Sequence, residues 1–338
     1  MSGPMTGPVL QTVILNYKTP EMTLKSAEAA LAAMDGIAGG ITIVDNDSRD
    51  GSYEMLSREV ASRGWDRETR VTVIASGHNG GFGAGNNVGI RAGLPGGVKP
   101  DYVYILNSDA FPGPDTIRIL LDYLEAQAHA GFAGSYIHGE GGVEDWHCTI
   151  FRFPSIWSEI ESAIKFGPVT RLLKKHVVPM DLPNEPTEVG WTAGASLMMR
   201  TSVLDQIGLF DETFFLYFEE TDLCLRAKRA GWPTVYVPES KITHIGSVST
   251  GLKTWVRVPG YWFDSRLYYY TKNHGALYAG LATTAFVLCR SLYRLRRIIE
   301  RKPHGDAERF LRDMMSHAIG RVLGRKTPAL KAAPGPAE

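Results

Sequence analysis

Cysteine is scarce in this chain: three residues in 338, Cys148, Cys224 and Cys289, lie far apart and form no Cys-x-x-Cys pair. That excludes a disulfide framework and a structural zinc site, and it points to a reducing compartment. Net charge is missing as well. The 36 basic residues offset 36 acidic ones, so the basic excess of a dedicated nucleic-acid binder is absent and no nucleic-acid partner is expected. With 44% hydrophobic and 21% charged residues, the composition is not that of a disordered protein. No internal repeat occurs. The uncharged stretch Asn273–Cys289 falls short of the roughly 20 strongly apolar residues that a spanning helix needs. The opening MSGPMTGPVLQTVIL has no basic segment followed by an apolar run, so export is not expected and the cytoplasm is.

What is present is unevenly distributed. Residues 1–250 carry 20 Lys and Arg against 30 Asp and Glu, whereas residues 251–338 carry 16 against 6. The halves therefore stand at −10 and +10. The first half alternates strand-like and helix-like periods: strands over Val9–Tyr17, Ile41–Val44, Arg70–Ala75 and Tyr102–Leu106, helices over Thr19–Met34, Gly51–Ala61 and Ala84–Ala92. This is the pattern of a parallel α/β sheet, in which ligands bind outside the carboxyl ends of the strands. Asp45, the Asn79–Asn87 loop and Asp109 all follow such ends and are expected to converge. Residues 135–190, with five prolines after position 150, read as loops and short helices around a crevice. An apolar strand ends at Arg200, a helix covers Ser202–Ile207, and short strands are expected at Thr234–Val237 and Lys241–His244.

Several clusters could carry chemistry. Asn107-Ser108-Asp109 follows the apolar strand YVYIL, where a carboxylate can ligate Mg²⁺ or Mn²⁺ together with phosphate oxygens. An Asx turn or a helix cap explains the same residues structurally. His78–Ile90, HNGGFGAGNNVGI, is rich in glycine and asparagine ahead of a helix, which suits diphosphate, but it is neither a dinucleotide fingerprint nor a Walker loop. Glu219, Glu220 and Asp222 stand behind the aromatic run FFLYF, where burial and like charge favour a general base. Acids also suit a helix's first turn, and Asp222 can pair with Arg226 four residues on. His244 gains a role if it meets Asp109, and Trp146 and His147 could stack on and bond a sugar acceptor.

In sequence order, VILNYKTP, IVDNDSRDGS, NGGFGAGNNVGI, YILNSDA, GWTAGASLMMR, FDETFFLYFEETDLCLRAKRAGW and ITHIGS resemble the inverting glycosyltransferases of family 2, in particular the bacterial rhamnosyltransferase branch. The resemblance covers roughly residues 9–250. It implies an α/β, type-A glycosyltransferase fold: a Rossmann-like nucleotide-binding sandwich on a mostly parallel sheet, here with a helical C-terminal extension. Carried over by position, Asn16, Tyr17 and Asp45 hold the nucleoside. Asn79, Gly81, Phe82, Asn86, Asn107 and Ser108 line the donor pocket, and Asp109 with His244 binds Mg²⁺ or Mn²⁺. Trp191 and Gly194 join Trp146 and His147 on the acceptor side. The family's metal motif begins with Asp where this chain has Asn107, and its base is the Asp of a Glu-Asp pair where this chain has Glu219-Glu220. Position matching makes Glu220 the base and Glu219 the fallback.

The implied reaction is a single displacement from a nucleotide-diphosphate sugar, dTDP-L-rhamnose first and a UDP-sugar second, to a hydroxyl of a lipid-linked or surface polysaccharide. An inactive sugar-nucleotide-binding scaffold is the alternative of another class, motivated by the two departures. A nucleotidyltransferase is disfavoured, because LNYKTP stands where its Arg- and Lys-bearing glycine segment would be. The expected division is a catalytic domain over 1–250 (donor part 9–134, acceptor part 135–250), a basic helical region over 251–326 and a disordered tail over 327–338. Asn273–Cys289 followed by RSLYRLRRII suggests docking on an anionic membrane, on the cytoplasmic face of the inner membrane. Packing on the catalytic domain and a homodimer contact are the other uses of these helices.

Overall fold

The computed structural model describes residues 7–67, 70–142, 145, 148–246, 256–301 and 306–324. They form two compact units, the first from Met1–Phe151, Asp181–Phe215 and Glu219–Thr250, the second from Arg152–Met180, Leu216–Phe218 and Gly251–Glu338. Residues 152–180 thus group with the C-terminal helices, within a stretch that the sequence assigned to the acceptor part.

The first unit is built on β1 (Val9–Asn16), β2 (Ala38–Asp45), β3 (Val71–Ala75), β4 (Tyr102–Asn107), β5 (Ala110–Pro112), β6 (Phe132–His138), β7 (Ile150–Phe151), β8 (Thr187–Val189), β9 (Trp191–Thr192), β10 (Ser196–Arg200) and β11 (Thr234–His244). Nine of these make one sheet in the order β3-β2-β1-β4-β10-β6-β11-β5, with β8 also paired to β11; β7 and β9 form a separate ribbon. Strands β1 to β4 are parallel, β10 runs against both β4 and β6, and β11 is parallel to β6. The carboxyl ends of β1, β2, β4, β6 and β11 therefore share one edge of the sheet with the start of β10.

Helices α1 (Pro20–Ala33), α2 (Ser52–Ser62), α3 (Phe82–Ala92) and α4 (Thr116–Ala126) cover the sheet. In α4 the buried residues Ile117, Leu120, Leu121 and Leu124 recur at helical spacing, and they join Leu10, Ile14, Tyr104 and Leu106 in one core with apolar residues of α1 and α2. Truncating a leucine such as Leu120, which is fully buried, costs about 2–5 kcal/mol. The opposite face receives α3: the Gln11 amide donates to the Gly89 carbonyl at 2.8 Å.

Two expectations over these elements need correction. The span 135–190 is not all loop and short helix, because its first residues belong to β6, an interior strand. Thr234–Val237 and Lys241–His244 are one strand with an irregularity between Val237 and Lys241, where Pro238 and Glu239 interrupt the register with β6.

The second unit consists of α5 (Ile156–Ile164), α6 (Gly167–Leu172), α9 (Gly260–His274), α10 (Ala276–Ile299) and α11 (Phe310–Val322); α7 (Thr201–Ile207) and α8 (Glu219–Arg229) belong to the first. Ala163, Phe263, Phe286 and Met314 form its small apolar core. Polar contacts do much of the rest. Arg266 reaches Glu159 at 2.6 Å and Thr283 at 3.1 Å, and the Tyr270 hydroxyl donates to Glu159 at 2.7 Å. The basic cluster of α10 also points inward: Arg290 bonds Asp306 and the carbonyls of Ser162 and Ala163, Arg294 bonds Asp306, and Arg296 donates to the Lys165 carbonyl at 2.6 Å. These arginines therefore do not form an outward basic face on α10.

Candidate active site

The shared edge of the sheet gathers most of the polar residues that the sequence singled out. At the ends of β1 and β2, Asn16 donates to Asp45 Oδ1 (2.8 Å) and Ser48 Oγ (3.3 Å), while its own oxygen accepts from the Thr23 hydroxyl (2.8 Å) and the Thr19 amide (3.3 Å). Asn16 is fully buried and spends its hydrogen bonds inside the protein, so it braces Asp45 and the entry to α1. Asp45 also accepts from the Ser48 hydroxyl (2.6 Å) and amide (3.1 Å). Tyr17, half-buried, lies beside the Lys18 ammonium, 5.4 Å from its ring.

The glycine-rich segment is shaped by the chain that crosses it. Gly81 has φ 93°, and a Cβ there would stand 1.8 Å from the Phe215 carbonyl oxygen, so only glycine fits. That carbonyl accepts from the Phe82 amide at 2.9 Å, which occupies the first amide of α3. At Gly83 a Cβ would press on Phe210 Cβ at 3.0 Å, so the small residue lets α3 pack closely on the segment before α8. Asn79 Oδ1 accepts from the Asn46 side chain (3.1 Å) and the Gly81 amide (3.0 Å). Asn86 is buried; its nitrogen donates to the Phe82 carbonyl, and its Oδ1 has no partner among the described residues. Phe82 meets Phe210 edge-on at 6.2 Å, and Gly194 leaves room for the Phe82 ring.

Strand β4 ends in Asn107, and β5 pairs with β11, so Ser108 and Asp109 carry the chain from one part of the sheet to another. This brings His244 Nε2 to 3.1 Å from Asp109 Oδ1 and 3.4 Å from Asn107 Nδ2, the meeting that gives His244 its relevance. Asp109 is 5% exposed, and Ser108 Oγ lies 3.4 Å from Thr19 Oγ1. Among the described residues no group of three or more His, Cys, Asp or Glu gathers to hold a metal. Asn107 Oδ1 is buried without a hydrogen-bond partner among them, however, and it adds a hard oxygen donor on the residue whose Nδ2 meets His244. Three protein donors of this kind fit Mg²⁺ or Mn²⁺, which complete their shells with water and phosphate oxygens.

Glu219 and Glu220 open α8, directly after Tyr217 and Phe218, whose φ angles of 69° and 70° turn the backbone sharply into the helix. The Oε2 atoms of both glutamates are buried and unpartnered among the described residues. Burial, with the Glu220 charge second, holds the Glu219 carboxyl well above the usual range. Burial lifts Glu220 to about 7, against the pull of the Glu220 and Thr221 amides. Asp222 takes the structural part: it accepts from Arg226 Nε at 2.9 Å, and Arg226 in turn holds the carbonyls of Ile207 and Leu209.

Of the residues expected on the acceptor side, Trp191 stacks on Phe151 at 4.1 Å across the β7–β9 ribbon. Trp146 and His147 lie outside the described residues. Two further asparagines, Asn46 and Asn87, have roles here that the sequence did not assign to them. Asn46 ties Asn79 to the Gly81 carbonyl, and Asn87 clamps the chain before α8 by donating to the Phe210 carbonyl and Glu212 and accepting from the Phe210 amide. A buried Asn-Asn pair inside an otherwise apolar helix was the available signal.

Comparison with known proteins gives these positions a context. Residues 8–262 match the family model described as Glycosyltransferase like family 2. Over 258 residues the chain is 30% identical to the N-acetylglucosaminyl-diphospho-decaprenol L-rhamnosyltransferase of Mycobacterium tuberculosis, spanning 72% of this chain and 78% of that protein. Rhamnosyltransferase WbbL of Escherichia coli K12 is 28% identical over 168 residues, 48% of this chain and 60% of its own. Among solved structures, the mannosyltransferase PcManGT of Pyrobaculum calidifontis, in complex with GDP-Man and Mn²⁺, superposes with a TM-score of 0.53 at 14% identity, covering 96% of this chain and 83% of that one. The architecture is thus the type-A glycosyltransferase fold expected from the sequence.

Proposed function

The chain belongs to glycosyltransferase family 2, and from that premise we propose that it moves a rhamnosyl group from dTDP-L-rhamnose to a hydroxyl of a lipid-linked glycan, with inversion at the anomeric carbon. That it is an enzyme acting on a nucleotide sugar follows from the family. The choice of sugar and acceptor is supported by the two relatives named as rhamnosyltransferases, one of them for an N-acetylglucosaminyl-diphospho-decaprenol acceptor.

The observation that carries the mechanism is the Glu219-Glu220 pair, Glu219 buried and Glu220 half-buried with its Oε2 atom covered. A carboxylate poised near 7 can take a proton from a sugar hydroxyl at neutral pH, which an ordinary glutamate does poorly. Glu220 accepts the acceptor proton as the acceptor oxygen bonds to the anomeric carbon and the bond to the donor's diphosphate oxygen breaks. Burial and the neighbouring Glu220 charge push Glu219 toward its neutral form, which lessens the second negative charge met by the approaching hydroxyl. Asp109, His244 and Asn107 Oδ1 would hold Mg²⁺ or Mn²⁺. When bound, such a cation supplies charge neutralisation at the departing diphosphate. Asp45, braced by Asn16 and Ser48, offers a fixed acceptor for a base or ribose donor group.

A panel of dTDP-, UDP- and GDP-sugars, scored by nucleotide release with Mg²⁺ or Mn²⁺ and with chelator, tests this reading. Release from dTDP-L-rhamnose above the others, abolished by chelation, is expected. Preference for a UDP-sugar would move the donor assignment, and release from no donor would favour a binding scaffold.

A further inference from the structure

The outer surface of the second unit is inverted for a helical body in water. Of the 17 large apolar side chains that stand exposed among the described residues, 14 belong to this unit. The densest set is on α10, where Leu277, Leu281, Leu288, Leu292, Leu295 and Ile299 are each 54–81% exposed. Separations of three, four and seven residues return these side chains to one stripe of a helix, about 33 Å long. The cations of the same helix face the other way: Arg290 and Arg297 are 7% and 9% exposed, and Arg290 is held by Asp306 and two carbonyls of α5. On α11, Met315, Ile319 and Leu323 repeat the outward apolar spacing at 42%, 56% and 61% exposure.

We propose that this leucine stripe seats on an anionic lipid surface, with α10 lying in the plane of the interface. Charge selects the occupant. The cations that stand exposed at the stripe's flank, Lys165 and Arg301, would meet like charge on a second copy, whereas an anionic bilayer is complementary to them. The flank agrees: exposed Lys165 lies against Tyr293 of α10, Arg296 covers the half-exposed Phe166 ring, and exposed Arg301 follows the helix end.

Length alone would let α10 cross a membrane, since it has 24 residues and an 18-residue window of mean hydropathy 1.2. Its inner face, however, packs on α5, α9 and α11 and carries the arginine–Asp306 network, which leaves one face for lipid and favours lying over spanning. The inference stands on this surface and not on the sugar-transfer reading, and its assay contains no sugar.

The full chain is sedimented with phosphatidylcholine vesicles, with and without phosphatidylglycerol. Wild type is expected to pellet with the anionic vesicles, less with the neutral ones, and less as salt rises. Leu288→Glu/Leu292→Glu/Leu295→Glu, at exposed positions, should lower partition at least about tenfold. Lys165→Glu/Arg301→Glu should weaken binding to anionic vesicles only, and this pair decides the matter if the leucine variant does not fold. Wild type left in the supernatant with anionic vesicles, or leucine and charge variants that bind like wild type, would overturn the proposal. A concentration-dependent dimer lost in the leucine variant, without vesicle binding, would reassign the stripe to a second copy and overturn it equally.

Discussion

Replacing Glu220 by Gln removes a buried carboxylate while keeping the side chain's size, and its effect on stability should depend on pH in a definite direction. Burial raises this group from 4.5 to about 7. At 1.36 kcal/mol per unit, that gap corresponds to about 3 kcal/mol of linked stability. Below 4.5 the carboxyl is protonated in both folded and unfolded chains, and the stabilisation is fully present. Between 4.5 and about 7 the unfolded chain ionises first, so stability is lost as pH rises through the folded value. At pH 8 the wild type carries the whole deficit and Glu220→Gln does not. The variant should therefore melt roughly 6–12 °C above wild type at pH 8, by calorimetry of the transition that includes α8, and within a few degrees of it at pH 5. Sugar transfer should fall about 10²–10⁴-fold in the same variant, and wild-type kcat/KM should rise across an acidic limb near pH 7. An equal melting shift at both pH values would refute the reasoning, because no proton would then be linked to folding at this site.

Gly81→Ala should be destabilised by several kcal/mol, because the new methyl meets the Phe215 carbonyl and forces apart the crossing ahead of α8; a wild-type urea midpoint would contradict this. Asn87→Ala strands the Phe210 amide and carbonyl inside the protein and should cost about 2–4 kcal/mol in the same measurement. Asn107→Asp adds a second carboxylate beside Asp109 and His244. Titration calorimetry should then find Mn²⁺ bound at least about tenfold more tightly, and unchanged affinity would remove Asn107 from the cation's surroundings.

The parts of the fold that were legible in the sequence are those whose local pattern and tertiary role agree. Strands β1, β2 and β4 are apolar because they are buried on both faces, and polar residues follow them because their ends form the candidate site. Strand β6 was hidden because AGFAGSYIH mixes small and polar residues without a clean period; its burial comes from β10 and β11, which lie 60 and 100 residues away in sequence. The pairing of Asp109 with His244 was likewise non-local, and the sequence could state it only as a condition. The orientation of the α10 arginines was not legible for a different reason. A basic amphipathic pattern fixes two faces but not which one turns outward, and the acid that turns this one inward, Asp306, lies beyond the helix. The Asn86-Asn87 pair in an apolar helix marked Asn87 as unusual, but the partners of Asn46 and Asn87 lie on other segments and could not be read from spacing.

The most direct test of the central claim is the stereochemistry and base dependence of the transfer itself. Wild type and Glu220→Gln are incubated with dTDP-L-rhamnose, Mn²⁺ and an N-acetylglucosaminyl-diphospho-lipid, and the product linkage is read by NMR. A glycoside of inverted configuration from wild type, with turnover lost by about 10²–10⁴-fold in Glu220→Gln and regained in Glu220→Asp, is the predicted result. A product of retained configuration, or transfer by Glu220→Gln at the wild-type rate, would contradict the account.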